Sequence, residues 1–157
     1  MNPGGAPTIR RAMDTDADAV ARLLDAFNRE FAEPSPGPEV LAGRVRTLLA
    51  QEQMVALLVG PGPNGVAVLR FRPALWTPGL DCYLEELYIE PQSRGQGLGR
   101  ALMEAAIDSA RRAGADEIHL GTSEADVAAR ALYESLGFSN TDGVVEGPVN
   151  YFFELEL

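Results

Sequence analysis

The chain of 157 residues contains no lysine: its thirteen basic side chains are all arginines, set against twenty-three Asp and Glu for a formal charge of −10. A protein so poor in positive charge lacks the basic face of a generic nucleic-acid binder, and an anionic membrane surface would repel it. Cysteine and histidine are almost as scarce. One cysteine (Cys82) excludes an internal disulfide, and together with one histidine (His119) it leaves too few soft ligands for a zinc site, so no metal is expected. The longest apolar run, Met54 to Val59, falls far short of the ~20 residues that span a bilayer. Met1 to Pro7 has no apolar stretch of the kind a secretory signal needs, which makes the cytoplasm the expected compartment. Apolar content is ample: 46% hydrophobic residues can fill a packed core, and this length suits one domain rather than two.

Proline and glycine punctuate the chain. Residues 1–7 read as a flexible tail. Residues 8–12 read as a strand. Behind the caps Asp14, Thr15 and Asp16, the residues Val20, Leu23, Leu24, Phe27 and Phe31 recur at the spacing of one helix face. The Pro-rich stretch 33–38 stops that helix, and Leu41, Val45, Leu48 and Leu49 mark a second. Two β-rich runs, 54–59 and 66–71, flank Pro61-Gly62-Pro63-Asn64-Gly65, where Asn-Gly predicts a hairpin turned through positive φ. A long strand over 81–90, a helix over 98–113, a short strand over 118–120 and a helix over 125–136 follow. Tyr151, Phe153, Leu155 and Leu157 alternate with Glu154 and Glu156 as a closing strand. The order β-α-α-β-β-β-α-β-α-β, without repeat or linker, describes one mixed α/β domain over residues 8–157.

The informative stretch runs from Leu87 to Arg100, where strand, glycine turn and helix follow one another directly. Glycines let backbone N–H groups converge, and a helix N-terminus adds about half a positive charge, so the turn suits phosphate. Arg94 and Arg100 flank it, with guanidinium groups able to pair with phosphate oxygens. Two familiar phosphate motifs fail. A P-loop ends in Gly-Lys-Ser/Thr, and there is no lysine. A Rossmann fingerprint needs a third glycine where this chain has Arg100 or Leu102, which weakens a nicotinamide-dependent oxidoreductase.

The pattern that does match is Arg/Gln-x-x-Gly-x-Gly/Ala, filled by Arg94, Gly97 and Gly99. Further on, Ala129-Arg130-Ala131-Leu132-Tyr133-Glu134-Ser135-Leu136-Gly137-Phe138 fits an A-x-x-LYE-x-x-GF helix. With these two motifs in order and a short strand between them, residues 8–157 resemble the GNAT superfamily of N-acetyltransferases. The resemblance implies a mixed, mostly antiparallel central sheet flanked by helices, whose fourth and fifth strands splay to admit acetyl-CoA. It implies pyrophosphate on the backbone of Arg94, Gly95, Gln96, Gly97, Leu98, Gly99 and Arg100, and a pantetheine arm along Leu87, Tyr88 and Ile89. Where many relatives have an Asn that contacts pantetheine, this chain has Asp126, which when ionised only accepts hydrogen bonds. Ser123-Glu124-Ala125-Asp126 also fits a capping box, so cofactor contact and helix cap both stay open.

Acetylating an amine means removing protons from nitrogen and returning one to the departing thiolate. Tyr133 holds the position at which relatives place a phenol as that donor. For the base, Glu85 and Glu86 stand side by side on the long strand. Neighbours in a strand face opposite ways, so one of them faces the cleft unless a bulge intervenes. The Tyr-Leu-Glu-acid pattern of Tyr83 to Glu86 is similar to that of spermidine/spermine and related diamine acetyltransferases, whose first acid is the proposed base. That ranks Glu85 ahead of Glu86, with a water chain as a third route. An acyl-cysteine route through Cys82 would need a positioned His and acid. The reading is therefore an acetyl-CoA-dependent N-acetyltransferase using direct transfer to a small cationic amine. Acetylation of a protein N-terminus or lysine, and a non-catalytic acyl-CoA-binding module, are the alternatives. Homodimers are common in the resembled family, so a homodimer stays open.

Overall fold

The computed structural model describes residues 4–157. The expected tail lies partly outside them, at residues 1–3; residues 4–8 are exposed and belong to no helix or strand. Two units are described separately, one ending at Leu120 and one running from Gly121 to Leu157.

The first unit is built on β-branched and leucine runs. β1 (Ile9–Arg11), β2 (Val55–Val59), β3 (Gly65–Pro73), β4 (Leu80–Ile89) and β5 (Ala115–His119) form one sheet in sequential order. The first three pairings are antiparallel and only β4–β5 is parallel, so the sheet is mostly antiparallel in an α/β setting. Alternation sorts the side chains. Ala56, Leu58, Val66, Val68 and Tyr88 share one face and join a buried core with Val20 and Leu23 of α1 (Ala17–Glu30) and Val45 of α2 (Pro38–Ala50). The opposite face meets α3 (Leu98–Arg112), which buries Leu102, Met103, Ala106 and Ala110. Each large side chain so buried is worth roughly 1.5–3 kcal/mol of apolar transfer.

The hairpin between β2 and β3 forms where expected, with a different division of labour. Positive φ falls on Gly60 (89°), not on Asn64. Gly65 is needed for space: a Cβ there would lie 2.5 Å from Ile89 Cδ1 and 2.8 Å from Val59 Cγ1. Asn64 instead braces the turn after β4, its Nδ2 donating to Ser93 Oγ at 3.1 Å and its carbonyl accepting from Glu90 N–H at 2.9 Å. β5 is longer than expected and begins three residues earlier, because pairing with β4 recruits Ala115 and Glu117 despite their polar company.

In the second unit, α4 (Val127–Ser135) begins two residues later than its pattern suggests, and Gly137 at φ 94° follows its end. The loop beyond is closed by Asn150, whose N–H donates to Asn140 O and whose Nδ2 donates to Asp142 Oδ1 at 2.8 Å. The closing strand is a correction: residues 151–157 form no strand, and Tyr151, Phe153, Leu155 and Leu157 are exposed. Alternation makes a segment fit for a sheet face, but a strand exists only with a ladder partner.

Candidate active site

β4 ends at Ile89, a 3-10 turn follows at Pro91–Ser93, and the chain swings into α3 through two left-handed glycines, Gly95 (φ 75°) and Gly97 (φ 77°). The first helical N–H bonded back is that of Ala101, to Gly97 O at 3.1 Å. The N–H groups of Leu98 and Gly99 therefore point out of the helix end, into a turn exposed from Arg94 to Gly97. Arg94 departs from expectation. Its Nη2 donates to both oxygens of Glu30 at 2.8 Å, its Nε donates to Ile89 O at 3.0 Å, and its guanidinium lies 5.7 Å from the Tyr88 ring centre. Tyr88 completes the knot, its hydroxyl donating to Glu30 Oε1 at 3.1 Å. Arg94 thus fastens the end of β4 to the end of α1, with its charge met by Glu30 rather than left for an anion. Arg100 lies on the first turn of α3, 3.8 Å from Glu104 and half exposed.

The expected splay is present. β4 pairs with β3 along its whole length, but with β5 only from Leu80 to Tyr83, the last rung being Tyr83 to His119. Past that rung, among the described residues, no strand covers the β5 side of Leu87, Tyr88 and Ile89.

The strand carrying the two acids is bulged. Val68 pairs with Glu86 and Leu69 with Leu84, which leaves Glu85 as the extra residue. Glu86 consequently shares the face of Val68, Tyr88 and Tyr83, which simple alternation from Tyr83 denies it. The two carboxyls then live differently. Glu85 is exposed, 3.3 Å from Arg70 Nη1. Glu86 is half-buried with no ion-pair partner among the described residues, and burial, helped by the charge of Glu85, pushes its pKa up to about 7. Glu85, but not Glu86, helps to line a cleft with Glu52, Arg70, Arg72, Asp81 and His119, among others. In it Asp81 accepts from Arg72 Nε at 2.6 Å and meets His119 Nδ1 at 3.0 Å, and the His119 ring stacks on Tyr83 at 5.1 Å. Cys82 points away and is fully buried; burial pushes its thiol up to about 11, which leaves it inert as a nucleophile.

In the second unit, Asp126 is the N-cap of α4, its carboxylate accepting from Ala129 N–H at 3.2 Å. It is the cap itself rather than the third helical residue of a capping box. Tyr133 lies two turns on, its ring 5.9 Å from that of Phe138. Burial, aided by the charge of Asp126, pushes its hydroxyl up to about 12.

Sequence reasoning missed Glu30, whose link to Arg94 crosses 64 positions with no motif to announce it. The contact of His119 with Asp81 likewise has no motif to announce it, since it forms only where β5 pairs with β4.

Comparison with known proteins agrees with this geometry. A model of the "Acetyltransferase (GNAT) family" matches residues 20–138. The aminoglycoside N(6')-acetyltransferase type 1 of Stenotrophomonas maltophilia is 32% identical over 146 residues, covering 89% of this chain and 91% of the relative. The thialysine N-epsilon-acetyltransferase of Bos taurus is 31% identical, covering 82% of each. A crystal structure from Arthrobacter sp. FB24 assigned as an acetyltransferase superposes with a TM-score of 0.84 at 42% identity over 99% of both chains. Glycine turn, splayed strands and relatives of matching length converge: this chain belongs to the GNAT family and is an acetyl-transferring enzyme, an N-acetyltransferase.

Proposed function

We propose that this enzyme moves the acetyl group of acetyl-CoA directly to a primary amine of a small cationic molecule, both substrates being bound together. The observation that carries the reading is the bulge at Glu85, which brings a paired carboxylate and an unpaired one to the mouth of an open strand edge. Two of the relatives are named for acceptors that carry amines, an aminoglycoside and thialysine. The acidic surplus of the chain favours a cation, raising its local concentration by an amount that salt erodes.

The glycine turn fits the donor: positive φ at Gly95 and Gly97 and the outward N–H groups of Leu98 and Gly99 make a cradle for a pyrophosphate. The uncovered backbone of Leu87 to Ile89 suits the amide-bearing arm. When bound, acetyl-CoA supplies an activated acyl carbon and a thiolate leaving group. Glu85 draws the ammonium into the cleft. Glu86, ionised in an appreciable fraction at neutral pH and without an ion-pair partner among the described residues, takes up a proton lost by nitrogen, directly or through water. Tyr133 returns a proton to sulfur. Asp126 acts on α4 as its cap, and a role toward pantetheine is not needed.

Gly97 offers a direct check of the donor site. A Cβ there meets no atom within 4 Å, so Gly97→Ala costs the fold only about 1 kcal/mol of backbone strain at φ 77°. The same methyl stands where the pyrophosphate approaches. Calorimetry is expected to find acetyl-CoA affinity down tenfold or more with the fold retained, and unchanged affinity would move the donor elsewhere.

The function itself is tested by thiol release from acetyl-CoA over an amine panel of polyamines, aminoglycosides, lysine analogues, peptide N-termini and neutral or anionic amines. The highest kcat/KM is expected for a small polycation. Preference for a peptide or a neutral acceptor would refute the substrate class. Donor binding without thiol release from any amine of the panel would refute the proposed acceptor class.

A further inference from the structure

Resting on that reading and going beyond it, we infer that His119 is a second proton acceptor of the transfer, held by Asp81 so that Nε2 opens into the cleft where the amine arrives. The contact predicts the tautomer: Asp81 Oδ1 lies 3.0 Å from Nδ1, and because a carboxylate only accepts, the pairing favours hydrogen on Nδ1, which leaves the lone pair of a neutral ring on Nε2. Arg72 donates to the other carboxylate oxygen at 2.6 Å, so Asp81 is tied at both ends. Tyr83 stacks on the ring at an interplanar angle of 21° and fixes its plane. This is more restraint than a surface pair needs: the His119 side chain is 40% exposed, and an ion pair so open adds little to stability. The place is also telling. Tyr83 to His119 is the last rung before β4 and β5 part, and the bulge at Glu85 begins two residues further along β4. The charged groups sharing the cleft with the ring are Glu52, Arg70, Arg72, Asp81 and Glu85.

The chemistry has room for two acceptors. A primary ammonium, R–NH3+, becomes R–NH–CO–CH3 by losing two protons. His119 Nε2 takes the first, forming an imidazolium that Asp81 stabilises, and the freed nitrogen lone pair bonds to the acyl carbon. Glu86 takes the second as the C–S bond breaks and its electron pair leaves with sulfur. Tyr133 protonates the thiolate and is reprotonated from solvent. One proton in all passes to bulk water, which balances R–NH3+ and acetyl-CoA against the amide and free CoA. Asp81 touches neither substrate in this scheme and is a positioning residue.

Because His119 is the only histidine of the chain, its imidazole nitrogens are identifiable by NMR without assignment. Long-range 1H–15N correlation on the full-length protein, recorded at alkaline pH so that the neutral ring is the species observed, is expected to show Nδ1 protonated and Nε2 bare. The opposite tautomer overturns the proposal whatever the kinetics. In pH–rate profiles on the best amine of the panel, the acid limb of kcat/KM should steepen toward a slope of two in the wild type and fall to one in His119→Gln. That variant should lose roughly 10²-fold at pH 7, in the lower range of general-base contributions. Asp81→Asn should lose comparably, and the double variant no more than His119→Gln alone. Wild-type kcat/KM and slope in His119→Gln would leave the amine-acetylation reading intact and reduce the dyad to a structural pair. If no amine in the panel supports thiol release, the reaction itself fails and the His119 role falls with it.

Discussion

Glu86→Gln is expected to lower kcat/KM at pH 8 by about 10²–10³-fold while making the protein more stable there. The two effects have one cause. In the folded chain burial and the charge of Glu85 hold the Glu86 proton up to a pKa of about 7, whereas the unfolded chain releases it near the ordinary 4.5. Between these values the native state binds more protons than the unfolded one, so the wild type loses stability as pH rises through that window and does not recover it above. Glutamine carries no such penalty. Denaturant titration should therefore find Glu86→Gln more stable by about 1–3 kcal/mol at pH 8, with a smaller gap at pH 5.5. On the kinetic side the proposed role gives the reverse sign, because a proton acceptor works as the ionised carboxylate. Wild-type kcat/KM should fall as pH drops below about 7, and the variant should lack the part of that limb due to Glu86. A loss of activity without a gain in stability at high pH would mean that Glu86 packs rather than accepts protons.

Glu85→Gln separates the two acids. It frees Arg70 and removes the negative charge that helps to raise the Glu86 pKa, so the acid limb should move to lower pH. A several-fold rise in KM for the amine with kcat little changed would match its role of drawing in the ammonium. If Glu85→Gln is the crippled variant and Glu86→Gln is not, the ranking by resemblance stands and the bulge is incidental.

The bulge at Glu85 shows where sequence reasoning stops. The glycine turn was legible because each step has a local cause: Pro91 ends the strand, Gly95 and Gly97 take the left-handed conformation, and the apolar face of α3 begins at once. The parity of β4 has no local cause. It depends on Val68 and Leu69, which lie more than a dozen residues away, meeting Glu86 and Leu84 with one residue to spare. The Glu30–Arg94–Tyr88 knot is hidden for the same reason, since nothing in the motif says that its arginine is already held by α1. The Asp81–His119 pair arises only once β5 docks parallel to β4. The tail from Tyr151 to Leu157 fails in the opposite sense: its local pattern is that of a strand, and the partner a strand requires is not supplied.

Tyr133→Phe is expected to lower kcat by about 10²–10³-fold, with acetyl-CoA affinity within twofold of the wild type. The ring stays, so its packing beside Phe138 stays, and only the hydroxyl is lost. That hydroxyl is kept protonated by burial first and by the Asp126 carboxylate second, with a pKa of about 12. Two consequences follow from so weak an acid. Tyr133 remains in its donating form throughout any practical assay, so it should impose no alkaline fall on the pH–rate profile below about pH 11. It also gives up its proton only to a sulfur that already bears substantial negative charge, so its contribution is confined to the breaking of the C–S bond. An acetyl donor whose thiol leaves readily as an anion should therefore lose much less than acetyl-CoA does in the Tyr133→Phe enzyme. The measurement is kcat for both donors, wild type against variant, under single-turnover conditions that isolate chemistry from product release. Equal losses with the two donors would place Tyr133 in orientation of the substrate rather than in proton donation, and no loss with either would remove it from the reaction.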